Sequence, residues 1–281
     1  MIWLAIAGAV LAAHAAYVAL AIVLIAFPNP LRRFVDRDPG WRERLAPRVL
    51  PVESPQGSFP LYVVGSGPPR AVVLLAHGRS RRASWMVPMA EALAPGHDVA
   101  LYDQRHHGDR GLGTSSLGSR EADDLEAAAR RLGAEGYAGF VLVGISSGAA
   151  SALRALERGV PTAVRGVVAI GCFDDLDRFL RLRTKYWRLP WFLQPLVRFG
   201  VERLAGFRFA DVSPLRAVPQ TGVPVHVVHA RDDELVPPSC AEALAAAAGR
   251  PPVWYDGRHD QPENAELQAA VRAAVETALR G

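Results

Sequence analysis

Phe140-Val141-Leu142-Val143-Gly144-Ile145-Ser146-Ser147-Gly148 is the stretch on which the reading of this chain turns. Its first four residues are an apolar run of strand length, and residues 149–158 after it have helical character. A strand, a sharp turn and a helix force the residue at the apex, Ser146, into a strained backbone geometry and project its hydroxyl above the sheet. Gly144 and Gly148 flank it because any Cβ there would meet the neighbouring strand or helix. The bare G-x-S-x-G pattern is a moderate signal in a chain with 25 glycines. The strand before it and the helix after it make it strong.

A serine hydroxyl is a poor nucleophile at neutral pH. It needs a base within hydrogen-bond reach and a third group to orient that base. Downstream, Val225-His226-Val227-Val228-His229-Ala230 reads as a strand, followed by Arg231-Asp232-Asp233-Glu234-Leu235-Val236-Pro237. Val253-Trp254-Tyr255 reads as another, followed by Asp256-Gly257-Arg258-His259. An acid and a histidine thus each fall just past a strand end, where a parallel sheet places its active site.

The chain resembles the α/β-hydrolase superfamily over roughly residues 49 to 281. Asp233-Glu234-Leu235-Val236-Pro237 is similar to the D-x-x-V-P acid element common there, and His259 matches the histidine of the late G-x-H element. Val72-Val73-Leu74-Leu75-Ala76-His77-Gly78-Arg79 resembles the strand and H-G-x turn that supplies half of the oxyanion hole. Tyr102-Asp103-Gln104-Arg105-His106-His107-Gly108 resembles the D-x-R-x-x-G segment after the next strand. Residues 117–125 resemble the helix start of membrane-anchored relatives called Bem46-like or serine aminopeptidase-like hydrolases. The resemblance implies the chain order serine, acid, histidine, with Ser146 as nucleophile, Asp233 as orienting acid and His259 as general base. It also implies an oxyanion hole made of the backbone amides of Arg79 and Ser147, donors that contribute about 3 kcal/mol each to lowering the barrier.

Rivals stand beside these assignments. Asp232 adjoins Asp233, and Asp174 and Asp175 follow the apolar strand at 167–170, an earlier position from which some hydrolases of this fold take their acid. His77, His106 and His107 read as loop or structural residues, and His226 and His229 as packed strand histidines. His14 lies in the N-terminal apolar segment and His97 in a loop. Arg79-Ser80-Arg81-Arg82 departs from the small or aromatic residues often found in relatives. Facing the pocket, these arginines would favour an anionic group on the substrate; facing solvent, they form a basic loop.

The N-terminus carries a second signal. Residues 2–27 contain no charged side chain and are mostly Ala, Leu, Ile and Val. At about 1.5 Å per residue they are long enough to span a bilayer. A cleaved signal peptide is the rival, opposed by the length of the run and the lack of Arg or Lys before it. Arg32, Arg33 and Arg37 follow the span, and the positive-inside rule then expects the remaining chain in the cytoplasm.

Composition fits one sizeable α/β core beyond that anchor: 281 residues, half of them apolar. The net charge of +4 is small, Lys185 is the sole lysine, and no nucleic-acid motif occurs, so the basic balance reads as surface chemistry. Cys172 and Cys240 do not suggest a disulfide scaffold. The expected organisation is an anchor at 1–28, a connector at 29–48, a core at 49–172 and 210–281, and a helical cap at 173–209. A hairpin at 49–64 precedes strands near 71–76, 98–102, 140–144, 167–171, 224–230 and 252–255. Helices are expected near 84–94, 119–133, 147–158, 238–248 and 263–280, with Ser119 as an N-cap. This alternation implies a largely parallel sheet with helices on both faces.

The cap is expected to hold Tyr186, Trp187, Leu189, Trp191, Phe192, Leu193, Leu196, Val197 and Phe199 as an apolar ceiling over Ser146, interleaved with arginines. These features point to a membrane-anchored hydrolase of carboxylic esters or thioesters, lipid-like acyl substrates favoured, requiring no metal or organic cofactor. A peptidase with the same triad and a non-catalytic binding protein on the same scaffold are the alternatives.

Overall fold

The computed structural model describes residues 1–28, 36–68, 71–159 and 164–280. Arg32 and Arg33, two of the three arginines behind the expected orientation, lie outside the described residues. Strands β1 (Arg48–Ser54), β2 (Gly57–Val64), β3 (Val72–Ala76), β4 (Asp98–Leu101), β5 (Phe140–Ile145), β6 (Val164–Ile170), β7 (Val225–Ala230) and β8 (Val253–Tyr255) form an eight-stranded sheet. Their order is β1-β2-β4-β3-β5-β6-β7-β8. The β1–β2 hairpin and the β2–β4 pair are antiparallel, and all other neighbours are parallel. β3 and β5 bury every residue, as strands covered on both faces must. β1, at the edge, alternates instead.

Among the described residues the α-helices are α1 (Ile2–Ala26), α2 (Trp41–Leu45), α3 (Val87–Leu93), α4 (Glu121–Ala134), α5 (Ser147–Glu157), α6 (Leu176–Tyr186), α7 (Gln194–Ala205), α8 (Pro214–Ala217), α9 (Pro238–Ala248) and α10 (Ala265–Arg280). The apolar sides of α3 and α10 pack on one face of the sheet, joined by the fully buried Trp41 of α2. Those of α4, α5 and α9 pack on the other, beneath α6 and α7.

Two local expectations are corrected. Ser119 is not the N-cap of α4, which begins at Glu121 after Arg120 without a side-chain cap. The Glu121 carboxylate reaches back instead, accepting from the Ser115 and Ser116 hydroxyls and from the Ser116 and Gly118 amides. The segment near 84–94 opens as a 3-10 turn at Ala83–Met86 before α3.

α1 is long and apolar enough to cross a membrane. Its N-terminal half is exposed, whereas its C-terminal half packs against the core. Ala21 and Ala26 are buried, and Val18, Ile22 and Ile25 lie on the same cluster as α7. Gly200 of α7 admits Ile22 closely, since a Cβ there would stand 2.3 Å from its Cδ1. The Tyr17 hydroxyl donates to the Trp187 carbonyl, and the Ser115 amide donates to the Ala26 carbonyl at 2.8 Å.

Candidate active site

β3 and β5 are neighbours in the sheet, and their loops leave its C-terminal edge side by side, Ala76 pairing with Gly144. The chain proceeds from β3 to β4 on one side and then to β5 on the other. That reversal opens a crevice above the strand ends.

Ser146 stands at this crevice with φ +54°, in the left-handed region that costs a non-glycine residue of order 1–3 kcal/mol. Its amide donates to the Ile170 carbonyl at 2.8 Å, which fixes the turn to β6. The flanking glycines are required by close approach. A Cβ on Gly144 would lie 2.4 Å from the Ala149 nitrogen, and one on Gly148 would lie 2.2 Å from the Ala76 carbonyl oxygen. Both contacts are with backbone, so neither can yield cheaply.

Asp233 and His259 come together across the ends of β7 and β8. His259 Nδ1 donates to Asp233 Oδ2 at 2.7 Å, and the Leu235 and Val236 amides donate to Oδ1 at 2.8 Å each. Burial of Asp233 opposes its ionisation. The hydrogen bond and charge of His259, with the Val236 amide, outweigh that and hold the carboxyl below its ordinary range. His259 rests against Gly171 at the end of β6, where a Cβ would approach its ring to 3.2 Å. With Nδ1 engaged by the carboxylate, Nε2 is the nitrogen left for a reacting partner.

The other acids are occupied elsewhere. Asp174 accepts from Arg178, from the Asp175 amide and from the Cys240 thiol. Asp175 caps α6 by accepting from the Arg178 amide, and Asp232 is exposed. His229 is buried and donates from Nε2 to the Val236 carbonyl at 3.0 Å. His77 is buried too; its Nδ1 donates to the Gly78 carbonyl and its Nε2 accepts from the Gln104 amide. Burial pulls the pKa of both rings below the usual histidine value, consistent with neutral structural imidazoles.

The loop after β3 brings Gly78 beside Ser146, 3.6 Å separating an ideal Gly78 Cβ from the serine Cβ. Ser80 has φ +62°, a second strained residue in the same crevice. The amides of Arg79 and Ser147 donate to no acceptor among the described residues. Of the four-residue basic stretch, Arg79, Ser80 and Arg81 line the crevice, while Arg82 turns away to Asp109. The Arg81 guanidinium pairs with Asp260 and lies over Trp85. That of Arg79 donates to the carbonyls of Leu24, at 2.6 Å, and Phe27, closing the C-terminus of α1.

Ser146, Ser147, Arg79 and His259 border one cavity of about 800 Å³. Its roof comes from Leu176, Phe179 and Leu180 of α6 with Trp187, and from Leu24 and Ile25 of α1. The expected ceiling is therefore only partly realised. Tyr186 and Trp187 reach the cavity, but Trp191 and Phe192, in a 3-10 turn before α7, and Leu196 and Phe199 of α7 point outward, more than half exposed; the buried side of α7 is taken by Val197 and Val201. The contribution of α1 was not foreseeable from its uniform apolarity; neither was that of Gly171. Among the described residues there is no cluster of three or more His, Cys, Asp or Glu suited to a metal.

Residues 72–271 match the family model described as "Alpha/beta hydrolase family". YqkD, an uncharacterized protein of Bacillus subtilis strain 168, is 33% identical over 173 residues, which span 58% of this chain and 56% of that one, so the chain matches about half the length of this relative. An esterase of Pyrococcus furiosus superposes with a TM-score of 0.67 at 21% identity, covering 85% of this chain and 93% of its own. A thermophilic esterase of Thermogutta terrifontis, solved with malate, gives a TM-score of 0.57 at 20% identity, covering 83% and 98%. At such identities the two structures speak for the fold, which is the one seen here. The family match spans β3 to the middle of α10, including the Ser146 turn, and this chain belongs to the alpha/beta hydrolase family.

Proposed function

We propose that this chain is a membrane-anchored serine hydrolase of carboxylic esters or thioesters, with lipid-like acyl groups as its favoured substrates. The reading rests on one observation above all. His259, hydrogen-bonded to Asp233, borders the same cavity as Ser146, which sits at a strained turn. Ser146 Oγ attacks the carbonyl carbon, and His259 Nε2 takes its proton. The oxyanion is held by the Arg79 and Ser147 amides. Collapse of the tetrahedral intermediate expels the alcohol or thiol, which receives the proton from His259, and leaves an acyl-serine. Water, deprotonated by His259, then releases the acid and restores Ser146. Asp233 remains ionised throughout and stabilises the imidazolium.

The Bem46-like branch of the family and a bilayer location form part of the same proposal. The undocked part of α1, residues 2–16, would extend only about 22 Å, short of a hydrocarbon core of about 30 Å. For α1 to span while docked, the edge of the enzyme carrying α7 must sink into the headgroup layer. Exposed Trp191, Phe192, Leu196 and Phe199 on that edge suit such a position. The segment at 173–209 then acts as a cap beside the leaflet, with the enzyme on the cytoplasmic side.

The test is a fluorophosphonate probe applied to detergent-solubilised protein, with Ser146→Ala as control. An adduct of the expected mass on Ser146, absent in the variant, supports the activated nucleophile. A folded protein that stays unlabelled, with and without added lipid, removes it.

A further inference from the structure

Two guanidinium groups border the cavity, and among the described residues neither forms an ion pair with a carboxylate. Arg183, on the last turn of α6, borders the cavity together with Arg79. It forms no ion pair among the described residues, and its neighbours are the faces of Tyr186 and Trp187, each 5.4 Å from its central carbon. Arg79 likewise has no carboxylate partner there; its guanidinium is spent on the Leu24 and Phe27 carbonyls. Burial lowers the pKa of Arg183. Burial and the repulsion of Arg183 together bring Arg79 down to about 10.

The cavity does contain acids, but they lie on the other wall. Glu234 follows β7, and Asp260 and Glu263 follow β8. Asp260 is already engaged by Arg81 and by the Trp85 indole at 2.7 Å. Three other arginines show the contrasting pattern. Arg110 pairs with Asp124, Arg178 with Asp174, and Arg216 with Glu157. A half-buried cation without a counter-ion is costly to keep, and a fold that keeps one beside a substrate cavity has a place for an anion.

We propose that Arg183, backed by the positive field of Arg79, is a binding subsite for an oxyanionic group, carboxylate or phosphate, carried by the substrate at a distance from its scissile bond. The planar guanidinium donates to two oxygens of either group in a fork, and the aromatic faces of Tyr186 and Trp187 hold the guanidinium in place. The subsite deepens the ester-hydrolase reading and rests on it only for the bond that is cleaved. It makes the substrate amphiphilic, with an apolar acyl chain against Phe179, Leu180 and Ile25 and one anionic terminus near α6.

Binding separates this proposal from the chemistry. Full-length Ser146→Ala protein in non-ionic detergent is titrated calorimetrically with two matched pairs. 1-Octanoylglycerol against its 3-phosphate places the anion on the leaving group. Methyl octanoate against monomethyl suberate places it at the end of the acyl chain. In at least one pair the anionic member should bind about tenfold tighter, and Arg183→Gln should bring the two members within about twofold of each other. Arg183→Lys should retain part of the preference, which also guards against loss of fold in the glutamine variant. Equal affinities in both pairs, or a preference that survives in folded Arg183→Gln protein, overturns the subsite. Because Ser146 is absent from these proteins, a native enzyme that fails to label or to cleave esters would break the reading of the reaction without altering this result.

Discussion

The floor and the roof of the cavity are held by different kinds of interaction. The floor is backbone: the Ser146 turn is pinned to β6 by one amide, to β3 by the close approach of Gly148, and Asp233 is fixed by two amides of its own turn. The roof is side chains from distant segments: α6, Trp187 and the end of α1, which Arg79 ties to the loop below. The floor has little freedom to adjust, whereas the roof can differ from one relative to another without disturbing the chemistry beneath. Reaction type belongs to the floor and substrate choice to the roof.

The contrast can be broken most sharply at the floor. Asp233→Asn should lower kcat by about 10⁴-fold while the fold persists, since the wrong histidine tautomer is then favoured. Asp174→Asn, which removes the partner of Arg178, should lower it by less than about tenfold. Steady-state kinetics on a short-chain 4-nitrophenyl ester compares them, and a reversed order would move the acid to the end of β6. Gly148→Ala comes next. Its new methyl group meets the Ala76 carbonyl, so a loss of order 3 kcal/mol in stability is expected, visible as a large drop in Tm or in soluble yield.

Substitution in the roof should be milder. Gly200→Val pushes on the flexible end of Ile22, so Tm should fall by about 3 °C, with a several-fold rise in KM for a long-chain ester and little change in kcat. A change confined to kcat would mean that α1 acts on the floor after all.

The smallest effect concerns pH. Folding lowers the pKa of His77 and His229, so the unfolded chain binds more protons than the folded one as the pH falls below the ordinary histidine value of 6.5. Stability should therefore decline as pH falls through that value, and His229→Gln should flatten the decline in Tm measured between pH 7.5 and pH 5.5. Asp233 has the same sign in a more acidic window: its depressed carboxyl contributes stability above the ordinary carboxylate pKa, lost as the pH falls through its lower folded value.

Much of the floor was legible as one-dimensional pattern. Fully apolar runs such as Val141-Leu142-Val143 announce strands covered on both faces, and two glycines around a serine announce a turn where backbones touch. The N-terminus of α4 was not legible because the helix starts later, after Arg120, and its first residue, Glu121, binds back to the Ser116 and Gly118 amides of the preceding Leu117-Gly118 turn. The ceiling was only partly legible because aromatic content carries no direction: Trp187 faces the cavity and Trp191 faces outward a few residues later.

By itself the sequence determined the alternation of strands and helices, the turn at Ser146, an acid and a histidine after late strands, and an apolar segment of membrane length. Each of these follows from residues close together in the chain, where periodicity and backbone sterics act. Only the tertiary structure decided which of four aspartates meets His259, which arginines border the cavity, and that α1 ends as part of its wall. Those outcomes join positions as far apart as Leu24 and Arg79, 55 residues along the chain. Such contacts depend on how helices pack across the sheet, and no local pattern encodes that.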